Sequence, residues 1–265
     1  MRLERHGWLA LFALLAAPAA GAPAPAHAQR MTVPQAVALL ASNDPDEVRM
    51  GIETMGLIGS PAAVEPLAAR IRRGLPPELL ATAIDTLGIL GRAEAGPVLF
   101  ELVGHRRPEI RLRAVQAIAM CRPRGAETAL ISALGDASAP VRSAAAQTLG
   151  ELRATGAIES LFLAFEHDVA EAGLALAAVT RPEDVTRLLA YLGRRPFTAL
   201  RPTLLALAVR SDLPARTRLE VVHRVGELAT SEARALLEEI AASLPSSDVG
   251  PVRRAATDAA ARIAQ

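Results

Sequence analysis

Apolar residues along this chain follow two periods at once. Within short stretches they fall at helical spacing, as in Ala63, Val64, Leu67, Ala68 and Ile71, which share one arc of a helix. Over longer distances the same arc returns about every 31 residues. Leu67, Leu99, Leu130 and Leu161 step by 32, 31 and 31; Ala63, Ala95, Ala126 and Ala157 step identically, as do Ile71, Val103, Leu134 and Phe165. A fixed period of this size marks units that cannot bury their apolar face alone and do so by stacking. No segment alternates with a strand's period of two. The pattern predicts an all-α chain: an α-solenoid of stacked antiparallel helix pairs, about six to seven units long.

Breakers place the elements. Thr32 as N-cap and Pro34 in the first turn start a short helix, which Ser42-Asn43-Asp44-Pro45 interrupts, so residues 29–43 read as an N-terminal capping helix. Residues 44–168 read as four regular repeats. Their first helices are expected at Glu47–Ile58, Pro77–Leu90, Glu109–Met120 and Pro140–Leu152, and their second helices at Ala62–Arg73, Glu94–Val103, Gly125–Leu134 and Gly156–Glu166. Beyond 168 the register loosens. Val169–Val179 with Glu183–Leu192 reads as a shortened unit in which Leu188 follows Leu161 by 27; 196–210 is less regular; Arg216–Leu228 and Ser231–Leu244 form another pair; Pro251–Ala264 closes the chain. Residues 169–265 are therefore divergent repeats with a C-terminal capping helix.

Composition adds a compartment and removes some partners. Arg2, Arg5 and His6, the apolar run Trp8–Ala17 and the closing Ala26-His27-Ala28 have the three-part pattern of a secretory signal peptide, with cleavage expected after Ala28. The apolar run is shorter than the roughly 20 residues that span a bilayer, so no membrane insertion is expected after cleavage. The exported chain is expected in a periplasmic or extracellular space. Without residues 1–28 it carries 27 arginines, no lysine and 27 acids, a neutral balance that gives no overall footprint for nucleic acid. Cys121, the only cysteine, can make no intramolecular disulfide and reads as a small buried hydrophobe, with an intermolecular bridge as the alternative.

The first helices carry a recurring signature. Asp44 to Val48-Arg49 leads to Met55-Gly56-Leu57-Ile58-Gly59; Leu87-Gly88-Ile89-Leu90-Gly91 closes the next; Asp136 to Val141-Arg142 leads to Leu149-Gly150-Glu151-Leu152; Asp248 to Val252-Arg253 opens the last helix. This resembles the short HEAT-like repeat, the type also found in phycobilisome lyases, strongly over 44–168 and patchily over 169–265. The resemblance implies a protein-binding scaffold whose second helices line an inner, concave surface. On those helices the polar face opposite the apolar arc carries Glu65, Arg72, Glu101, Thr128, Ser132, Glu159 and Glu166, the candidate partner-binding residues. A plain solvated face is the competing reading.

Other constellations point to architecture. Arg49, Arg111 and Arg142 are expected to pair with aspartates in the turns between units, because a guanidinium fork suits bidentate pairing; an arginine ladder that binds an anionic partner is the competing reading. His105, Asp136 and His167 recur in phase, yet stacked helices stand about 8–10 Å apart, too far for one metal to join both histidines; they read as turn and helix-end residues. No nucleophile elbow, phosphate-cradling glycine loop or Cys–His pair is present. The sequence thus predicts an exported scaffold that binds another protein, without catalysis, cofactor or metal. A lyase-like or enzyme-accessory repeat protein, and a periplasmic enzyme with an unrecognised site, are the alternatives.

Overall fold

The computed structural model describes residues 31–244 and 250–263; the expected signal peptide lies outside them. Fifteen α-helices fill these residues, and the fold is the expected α-solenoid. After α1 (Val33–Leu40), first helices α2 (Pro45–Ile58), α4 (Pro77–Leu90), α6 (Pro108–Cys121) and α8 (Ala139–Glu151) alternate with second helices α3 (Val64–Arg73), α5 (Gly96–Val103), α7 (Ala126–Ala133) and α9 (Ile158–Glu166). Then come α10 (Ala170–Val179), α11 (Pro182–Leu189), α12 (Phe197–Val209), α13 (Ala215–Gly226), α14 (Ser231–Ser243) and α15 (Pro251–Ile263).

Local chemistry sets the ends. Asp44 caps α2 by accepting from the Asp46 N–H at 2.9 Å, and Pro45 occupies the first turn. α2 and α4 stop at Gly59 (φ 65°) and Gly91 (φ 61°), in the left-handed region that glycine enters without cost. The equivalent positions in the next two units hold Arg122 (φ 47°) and Arg153 (φ 51°), so the turn geometry outlasts the glycine that suits it. Short 3-10 turns, at Pro61–Ala63, Ala93–Ala95 and Thr155–Ala157, lead into three of the second helices.

First helices stack directly on one another. Gly150 permits a close approach of backbones: a Cβ there would stand 2.9 Å from the Ala175 Cα of α10. Gly56 lies against Thr86, and Gly88 against Ala117 and Met120. Small residues thus let the backbones close on a continuous apolar core in which Leu67, Leu99, Leu130, Leu161 and Phe162 are wholly buried. Packing, not propensity, holds these short helices.

The period fails after α11. α12 stacks on α10 as a first helix would, but the short turn 210–214 leads straight into α13 with no second helix between. α13 packs against α11 and α12, and then meets α15 through Gly226 and Ala259 much as α8 meets α10 through Gly150 and Ala175. α14 fills the space beside α12, α13 and α15.

Candidate protein-interaction surface

All seven residues expected on the polar face of the second helices are exposed, and four are tied between units. Arg72 on α3 bonds Glu101 on α5 at 3.2 Å. Arg187 on α11 donates to both oxygens of Glu159 on α9 at 2.9 Å, while its guanidinium lies 3.7 Å from the centre of the Phe162 ring. Glu166 accepts from the Tyr191 hydroxyl at 2.6 Å, and that bond, after burial, pushes the phenol up from its ordinary value. Exposed pairs of this kind contribute about 0–1 kcal/mol each; their effect is to fix side-chain direction along the row. Glu65, Thr128 and Ser132 make no such inter-unit pair among the described residues.

The arginine–aspartate pairing expected in every unit forms at one rung. Arg111 grips Asp136 with two bonds of 2.6 Å, both side chains largely shielded from solvent at 16% and 10% exposure. The Arg111 bond holds the Asp136 carboxyl below the usual carboxylate range, against burial that pushes it up and with help from the Ser138 N–H. Arg142 forms no such pair. Its Nη1 donates to the carbonyls of Asp136 and Ala137 at 2.7 and 3.1 Å. Arg49 likewise has no carboxylate partner among the described residues. The reason at Arg142 is legible in the offset. Arg111 reaches Asp136, 25 positions on; the same offset from Arg142 arrives at His167. The neighbouring Asp168 is taken by Arg195, which also donates to the Phe165 carbonyl.

The phased His105 and Asp136 do the same local work. His105 Nδ1 accepts from the Arg107 N–H at 3.1 Å, and Asp136 Oδ1 from the Ser138 N–H at 2.7 Å, each ordering the turn before a first helix. Cys121 is buried with its Sγ donating to the Leu87 carbonyl at 3.2 Å, and burial pushes the thiol up. No helix among the described residues is long and apolar enough to cross a membrane.

One feature of this surface was not foreseen. A cleft of about 690 Å³ opens between the C-terminal halves of α7 and α9 and the turns that follow them. Ile131, Leu134, Leu163 and Val169 make its apolar wall; Ser132, Asp136, Ser160, Arg142 and His167 line it with polar groups. Leu163 is 57% exposed. Of its lining, the sequence marks Ser132 as a partner-binding candidate and Asp136, Arg142 and His167 as turn and pairing residues, without bringing them to one cleft. The signal that marks the cleft is the histidine at a rung position where the preceding unit has aspartate.

A family model for HEAT repeats matches residues 96–180. No curated protein matches the chain. Among solved structures it is similar to the complex of CpcE and CpcF of phycocyanin lyase from Nostoc sp. PCC7120, at 20% identity over 95% of this chain and 99% of that one, with a TM-score of 0.49. It is also similar to a chain in a homology model of the full-length AP-3 complex in an intermediate open conformation, at 14% identity over 86% of this chain, with a TM-score of 0.54. It spans 50% of the length of that AP-3 chain. An engineered protein matches at 20% identity over 86% of this chain and 71% of its own, with a TM-score of 0.48. Likeness at such identities speaks to fold alone. Residues 96–180 thus carry HEAT repeats, and the stacked helix pairs give the described residues the fold of a HEAT-like α-solenoid.

Proposed function

We propose that this protein is an exported, non-catalytic scaffold that recognises another protein through the extended surface of its second helices. The observation that carries the reading is the inter-unit fixing of that face: Arg72 to Glu101, Arg187 to Glu159, and Tyr191 to Glu166. A row of charged groups whose directions are set before contact loses less entropy on binding than a free surface does. Its mixed charges favour selection of partner and register over bulk affinity. The leader-like residues 1–28 support export.

Affinity capture from the producing cell's envelope fraction tests the scaffold, with a Glu65/Glu101/Glu159 charge-reversed variant beside the wild type. A specific protein retained by the wild type and lost by the variant is the expected result. Capture that is identical for both would remove the second-helix face from the proposal. Export is tested separately by cell fractionation with amino-terminal sequencing: the expected amino terminus is Gln29, and an uncleaved chain in the cytosol would refute it.

A further inference from the structure

The Arg111–Asp136 rung shows what the repeat does with this arginine: its fork takes a carboxylate in a largely shielded seat. One unit on, the seat is vacated by sequence, because position 167 is histidine. Arg142 keeps its Nη1 on two backbone carbonyls, which orients the guanidinium, and its Nε and Nη2 have no acceptor among the described residues. The neighbouring acids are all engaged. Asp136 is held by Arg111, Asp168 by Arg195, Glu159 by Arg187, and Glu166 accepts from Tyr191. The place where the carboxylate is missing is also where the cleft opens, with Leu163, Ile131 and Val169 beside it. A volume of about 690 Å³ is in the range of ligand-binding clefts, roughly 300–1,000 Å³.

We propose that this cleft binds an acidic side chain of the partner polypeptide, seated on Arg142 as Asp136 is seated on Arg111, with an aliphatic residue of the same segment against Leu163, Ile131 and Val169. The proposal rests on the scaffold reading and deepens it, since it names the chemistry of one contact. Charge complementarity selects this occupant. A cation oriented by backbone bonds, flanked by a histidine and two serines that can donate, fits an anion that forks; the Asp136 carboxylate that also lines the cleft is neutralised by both bonds from Arg111, and the apolar wall fits what precedes or follows the anion.

The test is fluorescence anisotropy with labelled decapeptides carrying Leu-x-Asp and matched ones carrying Leu-x-Asn, titrated with the whole exported chain. The Asp series should bind, and the Asn series at least about tenfold more weakly, as expected when a charge-assisted contact is lost. His167→Asp should restore the rung internally. It should raise the melting temperature or leave it unchanged while weakening the Asp series by at least about tenfold, a combination that a merely damaged fold cannot give. Arg142→Gln should weaken the same series. Equal binding of the Asp and Asn series, or binding indifferent to both substitutions, would overturn the proposal. A partner captured from the envelope that is lost by the Glu65/Glu101/Glu159 variant but indifferent to His167→Asp would sink this contact and leave the scaffold standing.

Discussion

The α2–α9 block and the α10–α15 block solve one problem in two ways. In α2–α9 the units repeat in register; apolar side chains and small residues that let backbones meet, such as Gly56 against Thr86 and Gly88 against Ala117, form the stack, and ion pairs such as Arg72–Glu101 and Arg111–Asp136 tie its units. In α10–α15 the period slips, and long arginines reach across the gaps. Arg210 donates to the carbonyls of Ala177 and Thr180 at 2.6 and 2.8 Å; Arg195 reaches Phe165 and Asp168; Arg201 reaches Glu239; Arg153 reaches Asp212 at 3.1 Å. Regular stacking satisfies helix ends by repetition. Where repetition stops, the buried carbonyls of Ala177 and Thr180 at the end of α10 need a donor with reach, and a planar guanidinium supplies several. Polar stitching thus accompanies regular stacking, as at Arg72–Glu101 and Arg111–Asp136, and continues where the period slips, past the seam at α9 and α11.

Phe162 sits on that seam, fully buried beneath Arg187 and near Tyr191, with ring centroids 6.5 Å apart. Phe162→Ala should give the largest effect, about 3–5 kcal/mol. In a chain stabilised by nearest neighbours it should also split the denaturant transition into two. A single transition shifted by less than about 1 kcal/mol would mean that the blocks do not meet through this ring. Arg210→Ala comes next. It removes charge-assisted bonds to two carbonyls and should cost about 1.5–3 kcal/mol, detected as earlier hydrogen exchange at the C-terminal end of α10; unchanged exchange there would refute the stitch. A glycine pair sharpens the contrast further. Gly150→Ala drives a Cβ to within 2.9 Å of the Ala175 backbone and should cost about 1–3 kcal/mol. At Gly226 the added Cβ meets only the Ala259 Cβ at 3.4 Å, so Gly226→Ala should be stabilising by about 0.5–1 kcal/mol through helix propensity. Equal signs from urea melts of the two variants would show that both stacks are equally tight.

The regular block was legible in the sequence because its signal is local. Leu67, Leu99, Leu130 and Leu161 each face only their own neighbours, so the period of burial equals the period of the sequence. The order of elements after α11 was less so. Val225-Gly226-Glu227-Leu228 does mark α13 as a first-type helix, but no residue announces that the second helix before it is missing. That placement depends on contacts of α13 with α11 and α12. On the candidate surface, helical phase was enough to put Glu65, Arg72, Glu101, Thr128, Ser132, Glu159 and Glu166 at solvent. It could not say that Arg187 and Tyr191 would fix Glu159 and Glu166, because those partners come from a unit whose spacing had shrunk to 27. Arg142 looked like its neighbours until the reach of Arg111 gave the 25-residue offset that ends on His167.

The smallest expected effect is the most discriminating between the two rungs. The Asp136 carboxyl is held below its ordinary value, first by the bond from Arg111, so the native state keeps it ionised where the unfolded chain would already take up a proton. Stability from this rung is therefore complete above the unfolded carboxylate's pKa, near 3.8, and is lost as pH falls through the lower, folded value. Asp212 is also held down, with Arg210 and Arg153 outweighing its burial, so the absolute acid profile reports several groups at once. The difference between wild type and Asp136→Asn isolates the rung. That difference in urea-derived stability should be constant from pH 7 to about 5 and should shrink steadily below about 4. His167→Asp supplies the mirror experiment, since a carboxylate returned to Arg142 should give that variant an additional loss on acidification that the wild type lacks. If the Asp136→Asn difference stayed flat to pH 2, the rung would act by position and not by charge. An Arg142 waiting for a partner's carboxylate would then have no electrostatic precedent in its own fold.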